Sequence, residues 1–434
     1  MILLSPKPTC ILFNKPINPF SKSNHPKPHH QNNTTPSSNH HISCKSEYKT
    51  ERGLQFDVGD TFFRHESATG RDLAVLAAAI HKKANNDKLR VLDAMCGCGI
   101  RSLRYLVEAD ADFVLANDAD DFHRSVVLSN LSAKVPRISE DGRGRRWLVT
   151  NDDANRVMME CCLRRDYFDF IDIDSFGSDS SFLRSAFEAL RFGGLVYVTS
   201  TDGYTSGGHR PLHSLSSYGA YICPMPYCNE LGLRMLIGGA IREAAVLGYY
   251  VTPLFSYYSY HGPVFRVLLR VNRGKLPISR HYNFIRYCSE CGNSEAISWD
   301  KLGQLNCPCN SNVPGSLVVS GPLWTGPLHS KSYLEEMLNL AEEWGWIGNN
   351  IGVDLEKLLK YMIDESDPQL PFGYIKLDEV SSRGKINSPP LRSMLSSLQK
   401  NGYTASRSHI ESNAIKTNCP MSMCIMIAKE LQAC

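Results

Sequence analysis

Four short apolar stretches each run into an aspartate: "LRVLD" ends at Asp93, "ADFVLAND" at Asp118, "WLVTNDD" at Asp152-Asp153 and "FDFIDID" at Asp174. A carboxylate in that position either caps the following helix or faces a ligand in the crevice at the carboxyl ends of parallel strands. Capping accounts for any one of the four; four in succession point to a common ligand crevice. Ionised aspartates only accept hydrogen bonds, so they suit an ammonium, paired hydroxyls or an exocyclic amine. The last of them is followed at once by Ser175, Phe176 and Gly177, which sets a flat ring beside an acceptor. A second constellation is Cys288-x-x-Cys291 followed by Cys307-x-Cys309. Two cysteine pairs across a short hairpin suit a tetrahedral structural zinc. The shortened second pair leaves free buried thiols and a redox disulfide as alternatives.

The elements that must position these residues are legible from periodicity. "DLAVLAAAIHKK" (72–83) predicts a helix, and residues 89–93 a buried strand that turns through Gly97 and Gly99 into a helix from about Ile100. Strand, glycine turn and helix bring backbone N–H groups and a helix N-terminus against a ligand. The spacing Asp93-x-x-x-Gly97-x-Gly99 is one used for S-adenosylmethionine, with a carboxylate near the methionine ammonium and close backbone approach at the glycines. Asp118, ending the second strand, is placed for ribose hydroxyls. Asp153 ends the third and is placed for the adenine amino group, with Ala154 as the apolar neighbour under the ring. A fifth strand is expected over 193–202, a helix over 229–247 and an antiparallel pair over 249–271. A terminal antiparallel pair distinguishes class I methyltransferases from dehydrogenases. The expected architecture is therefore α/β: a doubly wound, Rossmann-like methyltransferase domain over 47–274, followed by a smaller α+β domain over 275–434.

An exocyclic amine on a base is a poor nucleophile because its lone pair is delocalised into the ring. Asp174, with the backbone carbonyl at 174–175 as second acceptor, would hold such an amine so that its lone pair faces the methyl donor. Phe176 would stack on the base. Proximity and orientation then supply most of the rate, and the base must first leave its stack.

Composition narrows the setting. At 434 residues and 42% apolar content the chain has ample core, and a net charge of +3 does not by itself establish a nucleic-acid binder. The longest apolar candidate, around 233–251, is broken by Arg234, Arg242 and Glu243, so no membrane span is expected. Fifteen scattered cysteines fit a reducing compartment. Residues 1–46 hold no acidic residue and no arginine but many Pro, Ser, Asn, His and Lys, a composition that cannot bury a core. Acid-poor, hydroxyl-rich leaders resemble transit peptides, and "ISCK" (42–45) resembles a plastid processing site. Chloroplast import is expected, with the mitochondrion, or a plain disordered tail, as the alternatives.

Longer strings carry a resemblance. "DAMCGCGIRSLRY", "FDFIDIDSFGS", "YCNELGLRML" (227–236), "GPLWTGPLH" (321–329) and "SRSHIESNAIKTNCP" (406–420) stand in the order of motifs in the tRNA (guanine-N2) dimethyltransferases that act on guanine 26. The chain resembles that family along nearly its whole length after the leader. The resemblance implies an S-adenosylmethionine-dependent enzyme that makes N2-methyl- and/or N2,N2-dimethylguanosine in tRNA, with no obligate protein partner. It places Asp93, Asp118 and Asp153 at cofactor positions, Arg71 beside the cofactor, and Asp174 as the catalytic acceptor. Phe62 would face Phe176 across the guanine. It also makes 388–417 a tRNA-contacting helix and wing, with Arg407, His409 and Lys416 meeting phosphates; the basic loop 137–147 is a second candidate. Two departures touch the base pocket: Ser175 replaces the family's proline, and "FFRH" (62–65) its Phe-Tyr-Asn-Pro. They leave a catalytically weak tRNA-binding or folding paralogue as a rival reading. A methyltransferase acting on another RNA or DNA amine is a further one, disfavoured by the late motifs.

Overall fold

The structure, a computed structural model, describes residues 46–85, 88–139, 144–274, 281–309, 313–348 and 353–433. The leader, except Ser46, lies outside the described residues, as do 140–143 of the basic loop and 275–280 at the expected domain boundary.

The chain opens with a hairpin, β1 (Tyr48–Glu51) and β2 (Leu54–Asp57), and α1 (Ala68–Ala84). The α/β units follow: β3 (Arg90–Asp93), α2 (Ile100–Val107), β4 (Phe113–Asn117), α3 (His123–Ser132), β5 (Trp147–Thr150), α4 (Ala154–Leu163), β6 (Phe168–Asp174), α5 (Leu183–Ala189) and β7 (Leu190–Ser200). Two short helices, α6 (Gly203–Ser206) and α7 (Pro211–Tyr218), lead to α8 (Cys228–Val246) and the antiparallel strands β8 (Tyr249–Ser259) and β9 (Val264–Arg273). The sheet order is β5-β4-β3-β6-β7-β9-β8, parallel through β7 and antiparallel at the β9-β8 edge. This is the expected doubly wound sheet with its terminal antiparallel pair. Helix α1 starts a turn before the expected Asp72, because Ala68–Arg71 are buried rather than looped. Gly70 lies so close to the Arg266 guanidinium that a Cβ there would stand 2.7 Å from Nε.

Alternation along the strands assigns the two faces. Val91, Phe170, Leu195, Tyr197 and Leu268 pack toward α1 and α2, while Leu92, Ile171, Val196, Val198 and Leu269 pack toward α4, α5 and α8. After β9 come β10 (Tyr282–Cys288), β11 (Ser294–Ile297) and β12 (Leu317–Trp324), then α9 (Lys331–Glu343) and α10 (Leu355–Asp364). Helices α9 and α10 bury Leu334, Met337, Leu358 and Met362 in the same core as α1, so the apolar interior runs on past residue 274. The chain ends with β13 (Ile375–Lys376), α11 (Leu377–Gly384), α12 (Leu391–Lys400), β14 (Ala405–Arg407), β15 (Ala414–Thr417) and α13 (Met421–Ala433), which enclose a small core of their own around Leu377, Met394, Leu398 and Ile427. No helix among the described residues is long and apolar enough to cross a membrane.

Two buried ionic clusters hold these parts in register. Arg104 on α2 reaches Glu51 of the hairpin and Asp72 of α1, each at 2.7 Å, and Glu108 at 2.6 Å. Arg71 pairs with the same Glu51 at 2.7 Å. Burial opposes the Glu51 charge, but Arg71 and Arg104 prevail and hold its carboxyl down at about 2. The second cluster corrects an expectation. Lys416 is buried and bonded to Glu230 of α8 at 2.6 Å, and the His409 ring sits 2.9 Å from Glu365, the residue that follows α10. Neither side chain is free to meet a phosphate: each is sequestered as the partner of an interior carboxylate. Arg407 lies over the Tyr361 ring at 5.1 Å.

Candidate active site

A cavity of about 390 Å³ opens where β3–β6 end, roofed by residues 62–71 and walled on one side by β9. Its floor is the turn from β3 into α2. Gly97 and Gly99 adopt φ of 53° and 82°, left-handed values that favour glycine. The Gly97 N–H donates to Asp118 Oδ2 at 2.8 Å, tying the first two strand ends together. Asp118 Oδ1 accepts from the Asp120 N–H and faces His123 Nδ1, both at 3.0 Å, so the carboxylate is fixed at the cavity wall. Asp153 caps α4, accepting from the Arg156 N–H at 3.1 Å, and lines the cavity together with buried Ala154.

Asp93 and Gly99 sit elsewhere than on this wall. In the sheet register Asp93 lies level with Asp172 and Ala116, two residues short of Asp174 and Asp118, hence about 7 Å deeper. It accepts a hydrogen bond from Ser102 Oγ at 2.6 Å, and burial together with the nearby Asp172 pushes its carboxyl up to about 8. Gly99 caps α2 beneath the floor.

Asp174 stands at the rim. Arg101 of α2 donates to its Oδ2 from Nε (3.1 Å) and Nη2 (2.7 Å), and to Asp172 from Nη1 at 3.1 Å. Tyr105 also donates to Asp172, at 2.6 Å. Burial would raise the Asp174 carboxyl, but Arg101 and then Arg266 hold it at about 2. The sequence reading missed both arginines. Arg101 was visible within "GIRSLRY", one residue past the glycine turn; a cation inside the apolar strand "VFRVLL" was the signal for Arg266.

Arg71 lines the cavity, yet its guanidinium is already engaged by Glu51 and by the Arg64 carbonyl at 3.1 Å. Phe62 and Phe176 meet at the mouth, 60% and 72% exposed, with ring centroids 5.0 Å apart and planes at 72°. Their exposure shows that neither packs in the core. A base between them needs a gap of about 7 Å, two van der Waals spacings, so the rings must part by about 2 Å and turn parallel. The turn carrying Phe176 is anchored to the end of β7: the Gly177 N–H donates to Thr201 Oγ1 at 2.7 Å, and Ser175 Oγ donates to the Thr199 carbonyl at 2.9 Å. Ser175 thus fastens the strand end through a hydroxyl that proline lacks.

Away from the cavity, Cys288, Cys291, Cys307 and Cys309 gather with all four sulfurs within 4.8 Å of one another. Cys288 and Cys309 are 3.8 Å apart and Cys291 and Cys307 3.4 Å. Four thiolates at about 2.3 Å from a tetrahedral zinc stand about 3.8 Å from each other, so the cluster fits that ion.

Comparisons with known proteins agree with this geometry. A tRNA (guanine(26)-N(2))-dimethyltransferase of Pyrococcus abyssi is 28% identical over 394 residues, covering 89% of this chain and 97% of that protein. The Thermococcus kodakarensis enzyme of the same name is 30% identical over 379 residues, covering 85% and 93%. The structure of Trm1 from Pyrococcus horikoshii in complex with S-adenosyl-L-methionine superposes with a TM-score of 0.72 at 26% identity, covering 88% of this chain and 99% of that one. The profile of the N2,N2-dimethylguanosine tRNA methyltransferases matches residues 45–429. With the cavity, its carboxylates and its pair of exposed rings in place across that span, the chain belongs to the N2,N2-dimethylguanosine tRNA methyltransferase family.

Proposed function

We propose that the protein transfers methyl groups from S-adenosylmethionine to the 2-amino group of guanine 26 in tRNA, giving mono- and dimethylated products. The observation that carries this is Asp174 at the cavity rim, held by Arg101 through Oδ2 and lining the same cavity as two exposed phenyl rings. S-adenosylmethionine, when bound, supplies an electrophilic methyl group. Asp153 and Ala154 suit its adenine, and Asp118 its ribose hydroxyls. Phe62 and Phe176 clamp the extruded guanine. Asp174 holds the amine and turns its lone pair toward the methyl carbon. With its carboxyl at about 2 Asp174 is too weak a base to deprotonate the neutral amine before transfer, so its first role is orientation, and it can relay the proton only once transfer has occurred. The amine proton is lost to solvent after the new C–N bond has made the nitrogen acidic.

The 275–434 region, in this reading, presents the tRNA, and its four-cysteine cluster holds a structural zinc. Residues 1–46 direct the chain to the chloroplast, a reading supported by their acid-free, hydroxyl-rich composition; imaging a fluorescent protein fused to these residues tests it. The activity is tested with the protein, S-adenosylmethionine and unmodified tRNA, by mass spectrometry of the digested nucleosides. Methylated guanosine mapping to position 26 is the expected product. Tight tRNA binding with no methylated nucleoside would instead favour an RNA-binding paralogue, the reading to which Ser175 and the 62–65 segment lend weight.

A further inference from the structure

Arg266 is a buried cation of the cavity wall to which the proposed reaction gives no contact with the substrate. It projects from β9 opposite Thr199 of β7, is 2% exposed, and lines the cavity. Its Nε and Nη1 are buried with no hydrogen-bond partner among the described residues. Its Nη2 stands 3.9 Å from Asp174 Oδ1, outside hydrogen-bond range. Gly70 is bare where a side chain would displace the guanidinium, so the fold makes room for this cation. Its charge also helps to hold the Asp174 carboxyl low, but the two hydrogen bonds that Asp174 accepts come from Arg101, not from Arg266. Nε and Nη1 are sealed from the cavity, so Nη2, which is outside hydrogen-bond range of Asp174, is the donor that an acceptor on the ligand can reach.

The geometry points to Arg266 as the residue that reads guanine O6, a second contact that adds to the selection of the 2-amino group by Asp174; this rests on the reading of the cavity as a guanine N2-methylation site. The Watson–Crick edge of guanine carries, in order, the 2-amino donor, the N1–H donor and the O6 acceptor. Asp174 Oδ1 accepts at the donor end of that edge. The cation beside it, near enough to face the same base but too far to be consumed by the carboxylate, donates at the acceptor end. Adenine presents the reverse polarity there, an exocyclic amine where guanine has O6, and it would set a donor against the guanidinium.

The test compares tRNAs carrying guanine, 2-aminopurine or 6-thioguanine at position 26, with wild-type protein and with Arg266→Gln and Arg266→Lys. Both analogues keep the 2-amino group; one lacks O6 and the other replaces it with a poor acceptor. Wild-type protein is expected to methylate both roughly 10- to 100-fold more slowly than guanine, the worth of a hydrogen bond to a charged group. Arg266→Gln is expected to slow guanine by a similar factor while changing 2-aminopurine little, with S-adenosylmethionine affinity retained; Arg266→Lys is expected to fall between. Equal wild-type rates on guanine and 2-aminopurine would overturn the assignment whatever the variants do. So would a variant that slows all three bases alike, which is what a merely structural arginine produces, or one that loses cofactor binding. Absence of methylguanosine with wild-type protein and the guanine tRNA would refute the underlying reaction instead.

Discussion

Replacing Asp174 by asparagine, its nearest isostere, is expected to be more damaging than removing the side chain altogether. Two N–H groups of Arg101 converge on Oδ2 at 2.7 and 3.1 Å. In Asp174→Asn the amide must turn its carbonyl to them, because its NH2 cannot face two donors. The NH2 then points into the cavity, where the guanine amine also presents hydrogens. The variant loses a charge-assisted acceptor, about 1.5–3 kcal/mol, and leaves donors opposed, about 1–3 kcal/mol more. A total of about 2.5–6 kcal/mol corresponds to a rate loss of roughly a hundredfold to a few ten-thousandfold. Asp174→Ala loses the acceptor without adding a donor and should fall less far. The assay is single-turnover transfer of labelled methyl at saturating protein and cofactor, with tRNA affinity measured separately and expected to stay within a few-fold. An asparagine variant faster than the alanine variant, or retaining a tenth of the wild-type rate, would refute the orienting role. The carboxyl is held at about 2, so the wild-type rate should show no acid limb from Asp174 above about pH 4.

Phe62→Ala and Phe176→Ala should each weaken productive tRNA engagement by about 1–3 kcal/mol, the worth of one base–aromatic stack. Because both rings are exposed, urea titration should show stability changed by less than about 0.5 kcal/mol; a large loss would mean that they pack rather than stack. Arg104→Met leaves Glu108 without its guanidinium and takes one of two partners from Glu51 and from Asp72, which keep Arg71 and Arg52, and should cost about 3–5 kcal/mol in the same titration. The low carboxyl of Glu51 contributes stability that is present above its unfolded value and lost as pH falls through about 2. In Arg104→Met that loss should begin at higher pH, and an unchanged acid-denaturation midpoint would contradict the pairing. Elemental analysis of the purified protein should find one zinc per chain. Cys291→Ser with Cys307→Ser should lower both zinc content and thermal stability while sparing S-adenosylmethionine binding; full zinc content in that double variant would remove the cluster as its site.

The crevice was legible because parallel strands buried on both faces leave only their ends polar, so the aspartates at 118, 153 and 174 announced themselves. The same logic misjudged the depth of Asp93, since a sequence shows where a strand stops but not how its neighbours are staggered. The side chains that tune Asp174 stayed hidden for a related reason: Arg101 and Arg266 come from a helix and an antiparallel strand whose approach depends on sheet order. Lys416 and His409 read as surface charge because their partners, Glu230 and Glu365, lie far away in the chain. The cover given to α1 by α9 and α10 is likewise a tertiary fact, written in amphipathic helices that name no partner.

The N-terminal hairpin has a consequence for how the chain can be trimmed. Its pairing begins at Tyr48 against Asp57, and the Glu47 N–H already bonds the Asp57 carboxylate at 2.8 Å. Three residues after Tyr48 comes Glu51, which Arg71 and Arg104 both grip. A protease that removes everything up to residue 46 leaves the first ordered bond intact. One that cuts five residues later removes the carboxylate that pairs Arg71 and one of the three that surround Arg104. The margin between a harmless truncation and a damaging one is thus a single short strand, so any shortened form of this chain has to begin within a few peptide bonds of Glu47.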